Sequence, residues 1–212
     1  MLNAAYPGLR QIRADPDIYI VEDFLPASAC SNLIECALPY MRKSGMAFGG
    51  SEAAQNIRTS STVLLQRSRP QIQQLLANIT RLLGKPDAHC EDAQCSRYNP
   101  GEFYKAHFDG PHDTEPSAQQ FLACGGSRLA TVLVYLNSVN RGGATHFPTL
   151  GIEVTPQRGR ALIFFPGFED GSIDERLIHE ALPAGDVKFV SQVWVRHGAD
   201  RFGMFMNTRE SV

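Results

Sequence analysis

The apolar positions of this chain change their spacing part-way along it. Up to about residue 90 they recur three or four apart in two stretches, as on one face of a helix. From residue 91 onward they gather in short runs separated by Gly, Pro and Asn. Residues 18–24 (IYIVEDF) read as a strand. Residues 26–42 carry Cys30, Leu33, Ile34, Ala37, Leu38 and Met41 at helical spacing, with Pro39 expected to kink or end that helix. The small, Gly-rich stretch 44–55 (SGMAFGGSEAAQ) reads as a loop, and 57–66 as a strand. The clearest helix spans 68–83, with Ile72, Leu75, Leu76, Ile79, Leu82 and Leu83 as its buried stripe. Ser68 is its expected N-cap, Pro70 fits its first turn, and Gly84 suits the position just past its end. Candidate strands follow at 93–98, 103–109, 129–137, 144–147, 160–166, 187–195 and 202–207. This pattern predicts a mostly β fold with flanking α: one domain over 1–212, in which a support region (1–90) packs on a β core (91–208) of barrel or sandwich type. The weakly patterned stretches 110–127 and 167–178 are long for loops of a compact domain, and such loops usually carry function.

Composition narrows the picture. The chain has 212 residues, 43% hydrophobic and 20% charged, which suits a globular core rather than disorder. A formal net charge of −2 gives no electrostatic reason to expect nucleic acid or a membrane as partner. No apolar stretch approaches the roughly 20 residues needed to cross a bilayer, and the N-terminus lacks the apolar core of a secretory signal, so a cytoplasmic location is expected. The cysteines, Cys30, Cys36, Cys90, Cys95 and Cys124, are odd in number and form no CxxC pair, so they read as reduced thiols. Cys90 and Cys95 are the one pair left open as a disulfide.

Candidate chemistry sits in the β region. In the run Phe103–Asp109 (FYKAHFD), strand alternation points His107 and Asp109 to the same side. An imidazole and a carboxylate so placed suit two neighbouring positions on one metal ion, and His179, 72 residues later, is the candidate third ligand. Two histidines and a carboxylate on one face of an octahedral ion leave positions open, the arrangement of non-haem iron oxygenases. Alone, an HxD pair is more often a surface pair than a metal site. Lys188 adds weight. It lies in VKFVSQVWV, on the strand face that also carries Val190, Gln192 and Trp194. Either the strand is at an edge and the ammonium reaches water, or Lys188 is an internal counter-ion for a carboxylate. His89, His112, His146 and His197 are not expected as ligands.

Several segments, in order, resemble the prolyl 4-hydroxylases. Arg97–Asp109 (RYNPGEFYKAHFD) is similar to the family's first metal-binding motif, and Arg128–Asn137 (RLATVLVYLN) to the strand after it. Gly142–Pro148 (GGATHFP) resembles its GGET-x-F-P stretch, with Ala144 where Glu is common. Pro156–Phe165 (PQRGRALIFF) resembles a further strand, His179, Lys188 and Trp194 the final motif, and Arg58-Thr59-Ser60-Ser61 an upstream RTSS element. The resemblance covers about 18–208. It implies a double-stranded β-helix (jelly-roll) core and iron(II)- and 2-oxoglutarate-dependent hydroxylation with O2, ascorbate serving as an accompanying reductant. His107, Asp109 and His179 would hold the metal. Tyr98, Thr145 and Lys188 would lie near 2-oxoglutarate, with Thr131, Tyr135 and Trp194 lining its pocket. The implied substrate is a prolyl residue of a peptide or protein. Free proline, another amino acid or a natural-product intermediate would need the same chemistry. A β-barrel protein that holds a metal without catalysis remains the alternative of another class. Met46 and Phe48, between the hinge glycines Gly45, Gly49 and Gly50, form a candidate cover over a bound peptide.

Overall fold

The computed structural model describes residues 2–44, 57–112, 114 and 117–201. In chain order the elements are β1 (Leu9–Ala14), β2 (Asp17–Val21), α1 (Ala27–Ala37), β3 (Arg42–Lys43), β4 (Ser61–Leu65) and α2 (Pro70–Leu83). They continue as β5 (Ala93–Tyr98), β6 (Tyr104–His107), α3 (Ala118–Ala123), β7 (Arg128–Tyr135), β8 (Thr145–Phe147), β9 (Ile152–Val154), β10 (Ala161–Phe164), β11 (His179–Ala181) and β12 (Lys188–Arg196). Two antiparallel sheets result. The major sheet has eight strands in the order β1-β2-β10-β7-β12-β5-β4-β3, and the minor sheet four in the order β6-β11-β8-β9. Strands of the expected support region therefore do more than pack on the core, since β1, β2, β3 and β4 are built into the major sheet. The architecture is the mostly β fold with helical support that the pattern predicts, and of the jelly-roll type that the resemblance implies.

Alternation along the central strands explains the layering. On β7, Ala130, Val132 and Val134 point outward into one apolar cluster, with Cys30 and Leu33 of α1 and Ile72, Leu75, Leu76, Ile79 and Leu82 of α2. Leu133 and Tyr135 of the same strand point the other way, into a second cluster with Tyr98, Phe147, Leu162 and Phe164. The helices thus seal the back of the major sheet and leave its front to the minor sheet.

Several boundaries differ from the pattern. Helix α1 stops at Ala37 and passes into a single 3₁₀ turn, Leu38–Tyr40, because Pro39 has no amide hydrogen to donate. Helix α2 starts at Pro70 behind Arg69, and neither Ser68 nor any other side chain caps it. Its end is as expected: Gly84 takes the left-handed conformation (φ 64°) and donates to the Thr80 carbonyl at 2.8 Å. The 110–127 stretch contains α3, and β1, β9 and β11 are strands that the pattern does not mark. The candidate strand 202–207 and the Gly-rich cover lie outside the described residues. All five cysteines are free, so Cys90 and Cys95 are unbridged; burial pushes both thiols up to about 12, which leaves them unreactive. Among the described residues no helix is long and apolar enough to cross a membrane.

Candidate metal centre

Strand pairing brings the three expected ligands together. In the minor sheet β6 and β11 run antiparallel, with His107 directly opposite His179. Their ring centroids are 4.4 Å apart. Asp109, two residues past the end of β6 and so outside the strand that the pattern expected to carry it, folds in beside them, its Oδ1 3.9 Å from His107 Nε2 and its Oδ2 3.7 Å from His179 Nε2. Among the described residues these are the cluster whose donor atoms could hold one ion, all within 4.8 Å of each other. Asp109 and His179 are buried at 4% and 3% exposure, and His107 is partly open.

The imidazoles are set by their other nitrogens. His107 Nδ1 faces the Lys105 carbonyl at 2.8 Å, and His179 Nδ1 the Leu177 carbonyl at 3.0 Å. A carbonyl only accepts, so each Nδ1 carries the proton and each Nε2 keeps a lone pair for the centre. Ring contacts fix the planes. Tyr104 stacks on His107 at 3.6 Å and 12°, and Arg58 lies 4.7 Å from the other partner in that column, the Tyr104 ring. Phe164 meets His179 edge-on at 4.7 Å, with Phe147 at 5.7 Å. Burial first, and His179 next to it, push the His107 imidazole down to about 3, so it is neutral at ordinary pH. Burial pushes the Asp109 carboxyl up, but His179, His107, Arg128 and the Thr131 hydroxyl outweigh it and hold the carboxyl below its usual range.

This donor set fits a first-row divalent ion: two imidazole nitrogens turned to the centre, a carboxylate held below its usual range and deep burial. One carboxylate oxygen and the two imidazole nitrogens lie within 4.8 Å of one another, against the roughly 3 Å expected between adjacent ligands with bonds near 2.1 Å, a span that small side-chain adjustments close.

The other expected residues divide between two places. Lys188 is 1% exposed, in a strand flanked on both sides by β7 and β5, so the edge reading does not apply. It sits opposite Tyr98, its Nζ 4.3 Å from that ring, and donates to the Gly143 carbonyl at 2.8 Å. Among the described residues no carboxylate faces it, and burial pushes its ammonium down to about 7. Gly143 is backed by Gly142, where an added Cβ would collide with the Pro183 carbonyl oxygen. Tyr135 Oη lies 2.8 Å from Thr145 Oγ1, beside this lysine's strand. The remaining two stand elsewhere. Thr131 donates to Asp109 Oδ2 at 2.6 Å, and Trp194 lies under the Arg128 guanidinium, 3.7 Å from its ring.

Residues that the pattern did not single out complete the surroundings. Arg128 donates to the Asp109 backbone carbonyl at 3.2 Å and forms a two-pronged pair with Glu91 at 2.7 and 2.8 Å. Gln192 Nε2 lies 3.3 Å from Asp109 Oδ2. Its signal was its place on the Lys188 face of β12. Arg58 holds the Ser60 and Ser96 hydroxyls at 2.9 and 3.0 Å, which gives the RTSS element a task in bracing the Tyr104 column. The other histidines are occupied elsewhere: His146 with Glu180, His112 near Glu175, His89 with the Arg196 carbonyl and His197 with the Gly167 carbonyl.

Comparison with known proteins agrees with this geometry. Residues 93–196, which span both sequence stretches of the triad and Lys188, match the 2OG-Fe(II) oxygenase superfamily. Prolyl 4-hydroxylase 1 of Arabidopsis thaliana is 32% identical over 203 residues, covering 87% of this chain and 70% of that protein. The chain belongs to the prolyl 4-hydroxylase family. A second Arabidopsis relative, prolyl 4-hydroxylase 2, is 30% identical over 199 residues, with 82% of this chain and 65% of that protein covered. In fold the chain is similar to a viral collagen prolyl hydroxylase of Paramecium Bursaria Chlorella virus-1, solved with 2-oxoglutarate, at a TM-score of 0.67 and 24% identity, over 84% of this chain and 94% of that one. Membership in this family of oxygenases makes iron(II), 2-oxoglutarate and O2 the cofactor and cosubstrates, and the triad fits the iron.

Proposed function

We propose that this chain is the catalytic domain of a cytoplasmic prolyl 4-hydroxylase that acts on proline within a peptide or protein. The observation that carries the reading is the facing pair His107–His179 with Asp109 between them, both Nε2 lone pairs free and the carboxylate ionised. These residues hold iron(II). When bound, the iron supplies the oxidising chemistry by which 2-oxoglutarate, O2 and a substrate C–H become succinate, CO2 and C–OH.

The protein's own part is binding, orientation and exclusion of water. Lys188 supplies a buried cation for the far carboxylate of 2-oxoglutarate, and the missing counter-charge in the ligand-free protein is what that carboxylate provides. Tyr98 shields the ammonium, and Tyr135 and Thr145 form the polar wall beside it. Thr131 and Trp194 serve the metal side of the site, through Asp109 and Arg128. Peptide-bound proline follows the named activity of the Arabidopsis relatives. Unbridged cysteines support a reducing compartment.

The test is incubation with iron(II), 2-oxoglutarate, ascorbate and a proline-rich peptide library. Expected are stoichiometric succinate and a gain of one oxygen on proline by mass spectrometry, both lost in His107→Ala, Asp109→Ala and His179→Ala. Oxygen gained on free proline and not on peptides rejects the substrate; no succinate under any condition rejects the enzyme.

A further inference from the structure

Asp109 has two oxygens, and the protein treats them differently. Oδ2 receives the Thr131 hydroxyl at 2.6 Å and the Gln192 amide at 3.3 Å. The amide must present its nitrogen, because an ionised carboxylate only accepts. Both donors are inside the fold, Thr131 at 0% and Gln192 at 9% exposure. They come from neighbouring strands of the major sheet. Thr131 pairs with Trp194, two residues beyond Gln192 on the same face of β12, so the two donors stand diagonally and converge on one atom. A carboxylate oxygen has about two lone-pair directions, and those of Oδ2 are thereby taken. Oδ1 lies 3.9 Å from His107 Nε2 and Oδ2 3.7 Å from His179 Nε2; with the lone pairs of Oδ2 taken by its two donors, Oδ1 is the oxygen left to bind an ion.

We infer that Thr131 and Gln192 are positioning residues that confine Asp109 to a single metal-binding oxygen, Oδ1. The consequence is for the number of places left on the ion. Three protein donors on an octahedral ion leave three, of which a chelating 2-oxo acid takes two and O2 needs the third. With Oδ2 released, the carboxylate turns and binds through both oxygens, and the third place is filled by the protein itself. Thr131 and Gln192 therefore govern access of O2 without touching substrate or cosubstrate. This rests on the triad being the metal centre, as proposed above.

The experiment uses manganese(II) in place of iron, without O2, on the whole chain and on Thr131→Val, Gln192→Leu and the double variant. Water-proton relaxation counts exchangeable water on the ion before and after 2-oxoglutarate is added. Wild type is expected to keep water on the ion with 2-oxoglutarate present, and the double variant to lose it, while its 2-oxoglutarate affinity changes less than about threefold. With iron, turnover by the variant is expected to fall about 10- to 100-fold, and Thr131→Ser, which keeps the hydroxyl, is expected to retain both the water and the rate. If the double variant does not fold, the single variants carry the same test, with water lost in at least one. Water retained in every folded variant overturns the inference and leaves the metal centre standing. Failure of wild type to bind manganese(II) overturns both.

Discussion

Lys188 is the residue whose environment makes the sharpest demand. Burial favours its neutral form, and among the described residues a ring face and one carbonyl are the contacts of its Nζ. Burial pushes its ammonium down to about 7, whereas a dicarboxylate bound as proposed requires the charged form. Binding then takes up a proton at higher pH, so 2-oxoglutarate affinity should be constant below about pH 7 and weaken by up to about tenfold per unit above it. Lys188→Arg should bind more weakly but with a flat profile, since a guanidinium stays charged. Anaerobic titration with manganese(II) between pH 6 and 9 reads this, and a flat wild-type profile would remove Lys188 as the counter-ion. Stability has the matching sign. Between a folded value of about 7 and an unfolded one near 10.4, the unfolded chain holds the extra proton, so the ligand-free protein should gain stability as pH rises through that window. Lys188→Met should abolish that gain in urea unfolding and raise stability at pH 6.

At the scale of elements, helix α2 and strand β12 show what local pattern reveals and what it does not. The stripe Ile72, Leu75, Leu76, Ile79, Leu82 and Leu83 is fully buried, as its spacing predicts, because a helix carries its own periodicity. Leu75→Ala and Ile79→Ala should each cost about 2–5 kcal/mol in urea unfolding. Metal affinity should stay within about twofold, because the helix packs on the sheet face away from the triad; a large loss of affinity would show the two faces to be coupled. Strand β12 was legible as a strand for the same reason, through its alternating faces, and that face gave Lys188. His107 and Asp109 were legible from their two-residue offset. Strand β11 was not legible. It is three residues long, polar (HEA), and a strand only because β6 and β8 flank it, and that pairing is a long-range fact absent from any window of sequence. The destination of Thr131 was hidden for a related reason. Its face was clear, but whether it met Asp109 or the lysine end depended on the register of β7 against β12.

For the molecule as a whole, the proposed site is shared between the two sheets. The minor sheet contributes His107, His179 and Thr145, and the major sheet Tyr98, Thr131, Tyr135, Lys188 and Gln192, with Asp109 entering from the end of β6. The unfolded chain cannot assemble this set, because its members are drawn from strands as distant as β5 and β12. Ligands that bind only the folded form must therefore stabilise it, by about 2.7 kcal/mol at a concentration of 100 Kd. For a domain of this size each kcal/mol moves Tm by about 2–4 °C, so manganese(II) at that level should raise Tm by about 5–11 °C, with a further rise when 2-oxoglutarate is added. The two increments should separate by mutation. Asp109→Ala should lose both, since 2-oxoglutarate chelates the ion that Asp109 helps to hold. Lys188→Ala should keep the metal increment and lose most of the second. Thermal unfolding of the three proteins, ligand-free, with manganese(II), and with both, checks this. A Lys188→Ala protein that loses the metal increment as well would mean that the lysine end and the triad form one indivisible unit rather than two sites meeting across the sheets.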